Sequence, residues 1–319
     1  MEKRMIEVLK PGLATSVQDL GRSGYQQLGM VVAGAMDHFA LQIGNILVGN
    51  RRSAAGLEVV LMGPKLRFLK DTVIAICGAD LSPTIDGKTI QLWKSYRLSE
   101  GQILSFGKPV TGSYAYIAVS GGIQTPRIMG SRSTYVKAKI GGLDGQYLVK
   151  GDVLPTGDPV LGCSGRQLHP NLVPDYDKPR RIRVILGPDD KSFTKQGIRT
   201  FLTGTYKKTS RTDRMGTRLI GPKITHAKGA DIISDATFPG TIQVPANGQP
   251  IILLADRQPT GGYTRIATVI TEDIPRLAQI QPGKELTFEA VSLGLAHNLY
   301  MRRERMLKLL SQVGQGVHP

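Results

Sequence analysis

Ile251-Ile-Leu-Leu-Ala-Asp-Arg-Gln-Pro-Thr-Gly-Gly-Tyr263 decides how the chain is read. Five apolar residues bounded by turn formers have the length of a buried strand and are too short for a core helix. Pro259 then fixes one φ, and Gly261 and Gly262 permit backbone values that other residues resist. One strand end thus delivers an acid, a guanidinium, an amide, a hydroxyl and a phenol to a single rim within eight residues. Rigid scaffolds carry function on such loops, so Asp256, Arg257, Gln258, Thr260, Gly261, Gly262 and Tyr263 are candidate site residues. A solvated turn is the plain alternative.

The same short-strand grammar runs through the chain. Val73-Ile-Ala-Ile-Cys77 is a second apolar run, and Asp86-Gly87 between Ser82–Ile85 and Lys88–Gln91 is a hairpin signal. Tyr96–Leu98, Ile103–Phe106 and Tyr114–Val119 continue at the spacing of a barrel or a sandwich. Met36, Phe39, Ala40, Ile43, Ile46 and Leu47 mark one helix, with Asp37 expected in its first turn. Pro170, Pro174 and Pro179 break a polar stretch, 163–179, that reads as a joint. Beyond it, strands resume at Arg181-Ile-Arg-Val-Ile-Leu186. A helix capped by Asp190 is expected through Leu202, a short one over 272–279, and a clean alternating strand over Lys284–Ala290. Leu295, Leu299, Met306, Leu309, Leu310 and Val313 define one apolar face of a C-terminal helix. The expected organisation is a mainly β chain with a few short helices: a first domain over 1–165, a second over 180–294, and a helix and tail over 295–319.

Across 319 residues, 40% are hydrophobic and 21% charged, as in a folded globular protein. No apolar run approaches the roughly 20 residues of a spanning helix, and no signal-peptide core opens the chain, so a cytoplasmic address is expected. Cys77 and Cys163 have no metal-type spacing, and the five histidines form no metal-ligand pair. No metal site is expected. Forty-one basic residues against 25 acidic give +16. Lys178–Lys228 alone holds fourteen Lys/Arg against three Asp. Such a field favours acidic partners or anionic ligands. Nucleic acid is not favoured, because no helix-turn-helix, zinc finger or aromatic-interleaved motif is present.

Three further polar clusters recur at strand ends: Gln18-Asp19-Leu20-Gly21-Arg22, Gly130-Ser131-Arg132-Ser133-Thr134, and Asp213-Arg214-Met215-Gly216. An Asp beside an Arg either fixes a loop or holds the guanidinium ready for an anion. For Asp213–Arg214 the structural role is expected. No phosphate loop is present, and no serine elbow surrounds Ser131. A complete reaction centre cannot be assembled, which suggests half a site.

Taken in order, these clusters resemble one family, the biotin-dependent carboxyltransferase or allophanate-hydrolase-subunit-2 family that includes 5-oxoprolinase C subunits. The matching text is Ser16–Arg22, Gly34–Asp37, Val48–Asn50, Leu57-Glu58, Gly121-Gly122, Gly130–Thr134, Asp213–Gly216, Pro239–Pro245 and Asp256–Tyr263. Gln146 and Pro259 depart from the family's pattern, which has arginine and threonine there. The resemblance implies two cyclophilin-like β-barrel domains working with a homologous B-type partner and a larger A-type partner. Such complexes couple ATP hydrolysis to the opening of 5-oxo-L-proline to L-glutamate, with the ATP site shared with or supplied by a partner. Alternatives within the family are the carboxyltransferase part of a urea carboxylase, where biotin carries the carboxyl group, and an antagonist of a histidine kinase inhibitor that resembles the B-type partner. Arg132, Asp256 and Tyr263 are then the catalytic candidates. Gln18, Asp19, Arg22, Asp37, Ser131, Ser133, Thr134, Asp213, Arg214, Arg257, Gln258, Thr260, Gly261 and Gly262 are candidates for binding or positioning. The isolated chain is expected to be inactive.

Overall fold

The computed structural model describes residues 4–178 and 181–314. Pro179 of the expected joint, residue 180 and the tail beyond 314 lie outside the described residues. Two compact units divide the chain: Met1–Arg22 with Ala33–Tyr176 and Arg305–Pro319, and Ser23–Val32 with Asp177–Glu304.

In the first unit the strands form two antiparallel sheets around one core. The six-stranded sheet runs in the order Val153–Pro155, Arg4–Lys10, Lys65–Phe68, Ile103–Ser105, Thr84–Ile85, Lys88–Thr89. The five-stranded sheet runs Ala14–Gln18, Gly56–Val60, Thr111–Val119, Thr72–Asp80, Ser95–Leu98. Ile6, Val8, Leu66 and Leu104 of one sheet meet Val17, Leu57, Ile76 and Ile117 of the other in that core, all within 1% exposure. The helix α1, His38–Leu47, covers the central strands of the five-stranded sheet, which is why both faces of Thr72–Asp80 are buried. The Asp86-Gly87 hairpin forms as read, with Ile85 opposite Lys88 and φ of 48° and 77° at the two turn residues. Both angles suit the primed turn that follows strand twist, and glycine takes the second without strain.

The second unit closes as a seven-stranded barrel: Arg181–Leu186, Arg265–Val269, Thr241–Gln243, Ile251–Leu253, Gly216–Ile220, Tyr206–Thr212, Glu285–Ala290. The last strand pairs with the first in parallel, and the other neighbours are antiparallel. Asp231–Ala236 and Thr260–Tyr263 form a separate two-stranded ribbon. The mainly β expectation holds. α2 (Lys195–Thr203) lays Phe201 on Phe288, ring centroids 4.4 Å apart, and α3 spans Ile274–Gln279. No helix among the described residues is long and apolar enough to cross a membrane.

Four local readings need correction. Asp37 is the N-cap of α1 and not a first-turn residue, its Oδ1 accepting the Ala40 N–H at 2.9 Å. Asp190 does not cap α2; it opens a one-turn 3-10 segment, and the Thr194 hydroxyl accepts from Gly197 N at 2.8 Å instead. The expected joint is not free at its start. Arg166 N–H donates to Ser95 Oγ, whose hydroxyl donates to Cys163 O, and Leu168 is buried, so this backbone extends the edge of the strand Ser95–Leu98. Finally α4, Leu293–Gly314, runs 22 residues and buries only part of the leucine-rich stripe, with Leu299, Met306 and Leu310 half-buried. Leu295, Leu309 and Val313 are exposed while Ala296 and Leu307 are buried, and half-buried Arg303 pairs with Glu272 at 2.9 Å.

Inside the barrel unit, Lys208 is 2% exposed and its amine reaches only the Ala278 carbonyl in the last turn of α3, 3.3 Å away. Burial pulls its pKa down to about 7. Below that pH the amine is protonated in folded and unfolded chains alike. Between about 7 and the ordinary value of 10.5 the unfolded chain binds the extra proton, so raising pH stabilises the fold by up to ~1.4 kcal/mol per pH unit. Between pH 7 and the onset of thiol and phenol titration, urea midpoints should rise more steeply with pH for the native chain than for Lys208→Met.

Candidate functional site

The strand Ile251–Leu253 carries buried Ile252, Leu253 and Leu254 into the turn that delivers Asp256 and Arg257. Asp256 takes a two-pronged grip from Arg214: Nε to Oδ2 and Nη2 to Oδ1, both 2.9 Å. Its own N–H donates to Arg214 O at 2.8 Å. Both side chains are under 10% exposed. Two desolvated charges repay their burial only with geometry of this quality. Asp213 does not pair with Arg214, contrary to the sequence expectation. It is exposed, and its Oδ1 accepts from Met215 N and Gly216 N to close the hairpin between two barrel strands.

Arg257 differs from Arg214. It is 3% exposed, yet among the described residues its hydrogen bonds go only to Thr237 O and Leu254 O, both at 3.4 Å. Burial without a carboxylate lowers its pKa to about 10. A guanidinium so thinly satisfied is suited to an anion. Around it, Gln258 and Thr260 are exposed, and Tyr263 is 41% exposed. Thr237 Oγ1 donates to Gln258 O at 2.6 Å, fixing the turn. Gly261 allows a close approach: a Cβ there would lie 2.4 Å from the Gln243 amide nitrogen. Gly262 is half-buried in the ribbon.

In the first unit, Asp19 is the centre of a knot. Its carboxylate accepts Ser131 Oγ and Ser133 Oγ at 2.6 Å each, Arg132 N at 2.7 Å and Gly21 N at 2.8 Å. Thr134 Oγ1 donates to Val17 O, Gln18 Nε2 to Thr134 O, and buried Arg22 donates through Nη2 to Ser133 O. The hydroxyls expected to ring an anion are therefore engaged with the protein. What the knot presents is Arg132, half-buried and reaching Gln124 Oε1. Its Nε is buried with no hydrogen-bond partner, as is Gln18 Oε1. Burial, then the neighbouring Arg127, lowers the pKa of Arg132. A buried donor of this kind is available to a ligand or a water.

Asp37 belongs to neither group. It is fully buried, accepts the Tyr176 hydroxyl at 2.8 Å, and its N–H donates to Tyr116 Oη at 2.7 Å. Tyr116 in turn donates to Glu58 Oε2, which also accepts Met36 N. Burial first, then Glu58 and Asp37, raises the Tyr116 pKa well above its ordinary value. The sequence signal for this network was an acid inside the apolar strand Gly56–Val60, and Tyr116 and Tyr176 carried none. Gln124 and Thr237 were likewise unmarked. Among the described residues no group of three or more His, Cys, Asp or Glu is arranged to hold a metal ion.

A mainly β chain with a closed barrel and arginine-bearing loops at strand ends is the architecture of carboxyltransferase domains. The family described as carboxyltransferase domain, subdomain A and B, matches residues 28–290, and the chain belongs to it. It is 37% identical over 309 residues to the C subunit of 5-oxoprolinase from Escherichia coli, covering 96% of this chain and 98% of that protein. The corresponding Haemophilus influenzae protein is 35% identical, with 97% and 98% covered. Among solved structures, the Kluyveromyces lactis urea carboxylase superposes with a TM-score of 0.92 at 30% identity, covering all of this chain and 30% of that one.

Removing half of the buried fork should be severe. Asp256→Asn leaves Arg214 desolvated and uncompensated, at an expected cost of about 3–5 kcal/mol in urea unfolding. Tyr263→Phe, at an exposed phenol, should leave the midpoint unchanged.

Proposed function

We propose that the chain is one component of an ATP-dependent 5-oxoprolinase, acting with partners of the A and B type to convert 5-oxo-L-proline to L-glutamate. The observation that carries this reading is end-to-end likeness to a protein of nearly the same length that is named as the C subunit of 5-oxoprolinase. The urea carboxylase likeness in fold covers all of this chain but makes it correspond to a fragment of a larger enzyme. That favours the carboxyltransferase reading, with a biotinylated carrier, only as a second choice.

A five-membered lactam resists attack at its carbonyl. Transfer of a phosphoryl group to the lactam oxygen makes the carbon electrophilic, and the transfer itself needs cations and fixed donors around developing charge. Arg132 and Arg257 suit that role, because neither is held by a carboxylate fork and both lie on loops fixed by other residues. Thr260, Gln258 and Tyr263 are available as positioning groups on the exposed side of the second loop. Asp19 and Asp256, fully engaged in holding those loops, are clamps and not proton acceptors. Asp19 and Asp256 being engaged, this reading takes the general base and the rest of the ATP site from the partner proteins.

The purified chain alone is expected to show no 5-oxoproline-dependent ATP turnover, with activity appearing only after its partners are added. In that complex Arg257→Met should lower turnover by roughly 10²–10³. Its melting temperature should not fall, since an unpaired buried charge is replaced by an apolar group of similar volume. Turnover by the single chain, or an unaffected Arg257→Met complex, contradicts the reading. Sensitivity of the reaction to avidin would favour the biotin alternative.

A further inference from the structure

The basic excess of Lys178–Lys228 has a defined location. Arg181, Arg183 and Arg214 pair with Glu289, Asp273 and Asp256, and Lys208 is buried. Of the ten other Lys and Arg in that stretch, five lie on two segments, 190–204 and 221–228, laid side by side on the barrel unit. Ala227 N donates to Ser192 O at 2.8 Å, and Phe193 stacks on His226 with centroids 4.7 Å apart. Thr194 and Thr225 hydroxyls meet at 2.7 Å, Gly197 lies against Thr225 O, and Gly204 lies against Pro222. Along this track sit Lys191, Lys195, Arg199, Lys223 and Lys228, all exposed and none in an ion pair among the described residues. The only acid in either segment is Asp190, at one end.

Nothing in the fold is served by this arrangement. Lys195 and Arg199 are like charges one helical turn apart, and Lys195 occupies the first turn of α2, where the helix dipole disfavours a cation. An anionic surface docked against the track relieves both. Base stacking has no platform here, because Phe193 and Phe201 are buried. A DNA groove has no probe either, because the nine-residue α2 is pressed on Thr225 through Gly197. Ile220, 62% exposed, lies immediately before Gly221-Pro222 and supplies the apolar contact usual in protein interfaces.

We propose that the paired segments 190–204 and 221–228 form a docking face for an acidic surface on another protein of the complex. The proposal rests on the 5-oxoprolinase reading for the identity of that partner. Its test is a full-length variant with Lys191, Lys195, Arg199 and Lys223 each changed to Glu, checked for an unchanged melting temperature. Association with the purified partner proteins is then followed by biolayer interferometry. The native chain should associate fast at low ionic strength and slow down as salt is added. The variant should associate roughly 10- to 100-fold more slowly and lose that salt dependence. A neutral version with Gln at the same four positions should fall between the two. Equal association by native and variant chains overturns the docking face while leaving the function standing. Failure of the native chain to join any partner overturns both. A variant that assembles normally but loses affinity for a short DNA duplex would assign the face to nucleic acid and overturn the proposal.

Discussion

The Arg214–Asp256 fork is the constraint on which the barrel unit's functional loop depends. Two residues 42 apart in sequence are held together out of solvent, where either charge alone would be costly. Their two parallel hydrogen bonds fix the end of the strand Ile251–Leu253. The next residue, Arg257, inherits that position. Its guanidinium is held in a dry environment by two long backbone contacts, so it has reach and charge without a carboxylate to neutralise it. Arg214 is part of the scaffold, and Arg257 is the buried cation that the scaffold positions.

The first unit repeats the device with different chemistry. Asp19 gathers two serine hydroxyls and two backbone amides, and so locks a loop more than a hundred residues away. Here the group left partly unsatisfied is Arg132, which lies between the two serines of that loop and is remote in sequence from Asp19. In both places a buried acid organises a loop and an adjacent arginine faces a different set of contacts. In neither loop is the organising acid free to act as a base, which fits a protein that works as part of a complex.

Local pattern carried most of the fold. The Asp86-Gly87 turn, α1, the short helix near 274 and the apolar run at 251 all follow from period and turn chemistry, because each is decided by neighbours in sequence. Pairings over long distances were not legible. Nothing in Asp213-Arg214 says that the arginine turns away from its neighbour toward residue 256, and nothing in Ser131–Thr134 says that its hydroxyls answer to residue 19. α4 shows the same limit from another side. The leucine count picks out Leu295, Leu309 and Val313, which are exposed, and passes over Ala296 and Leu307, which are buried, and Arg303, which meets the acid Glu272. The site motifs themselves were visible as clusters, but which member clamps and which faces a ligand required the geometry.

The account turns on whether Asp256 is a clamp or a reacting group. Replacing the fork as a pair, Arg214→Met with Asp256→Leu, removes both charges while keeping the volume, so the loop is held by packing and no unpaired charge remains. In the reconstituted complex, unfolding midpoint and turnover are measured on that double variant. The clamp account expects a midpoint near that of the native chain and turnover within about tenfold of it, the residual loss reflecting a less rigid loop. A double variant that is stable yet inactive would contradict the account and return Asp256 to the chemistry.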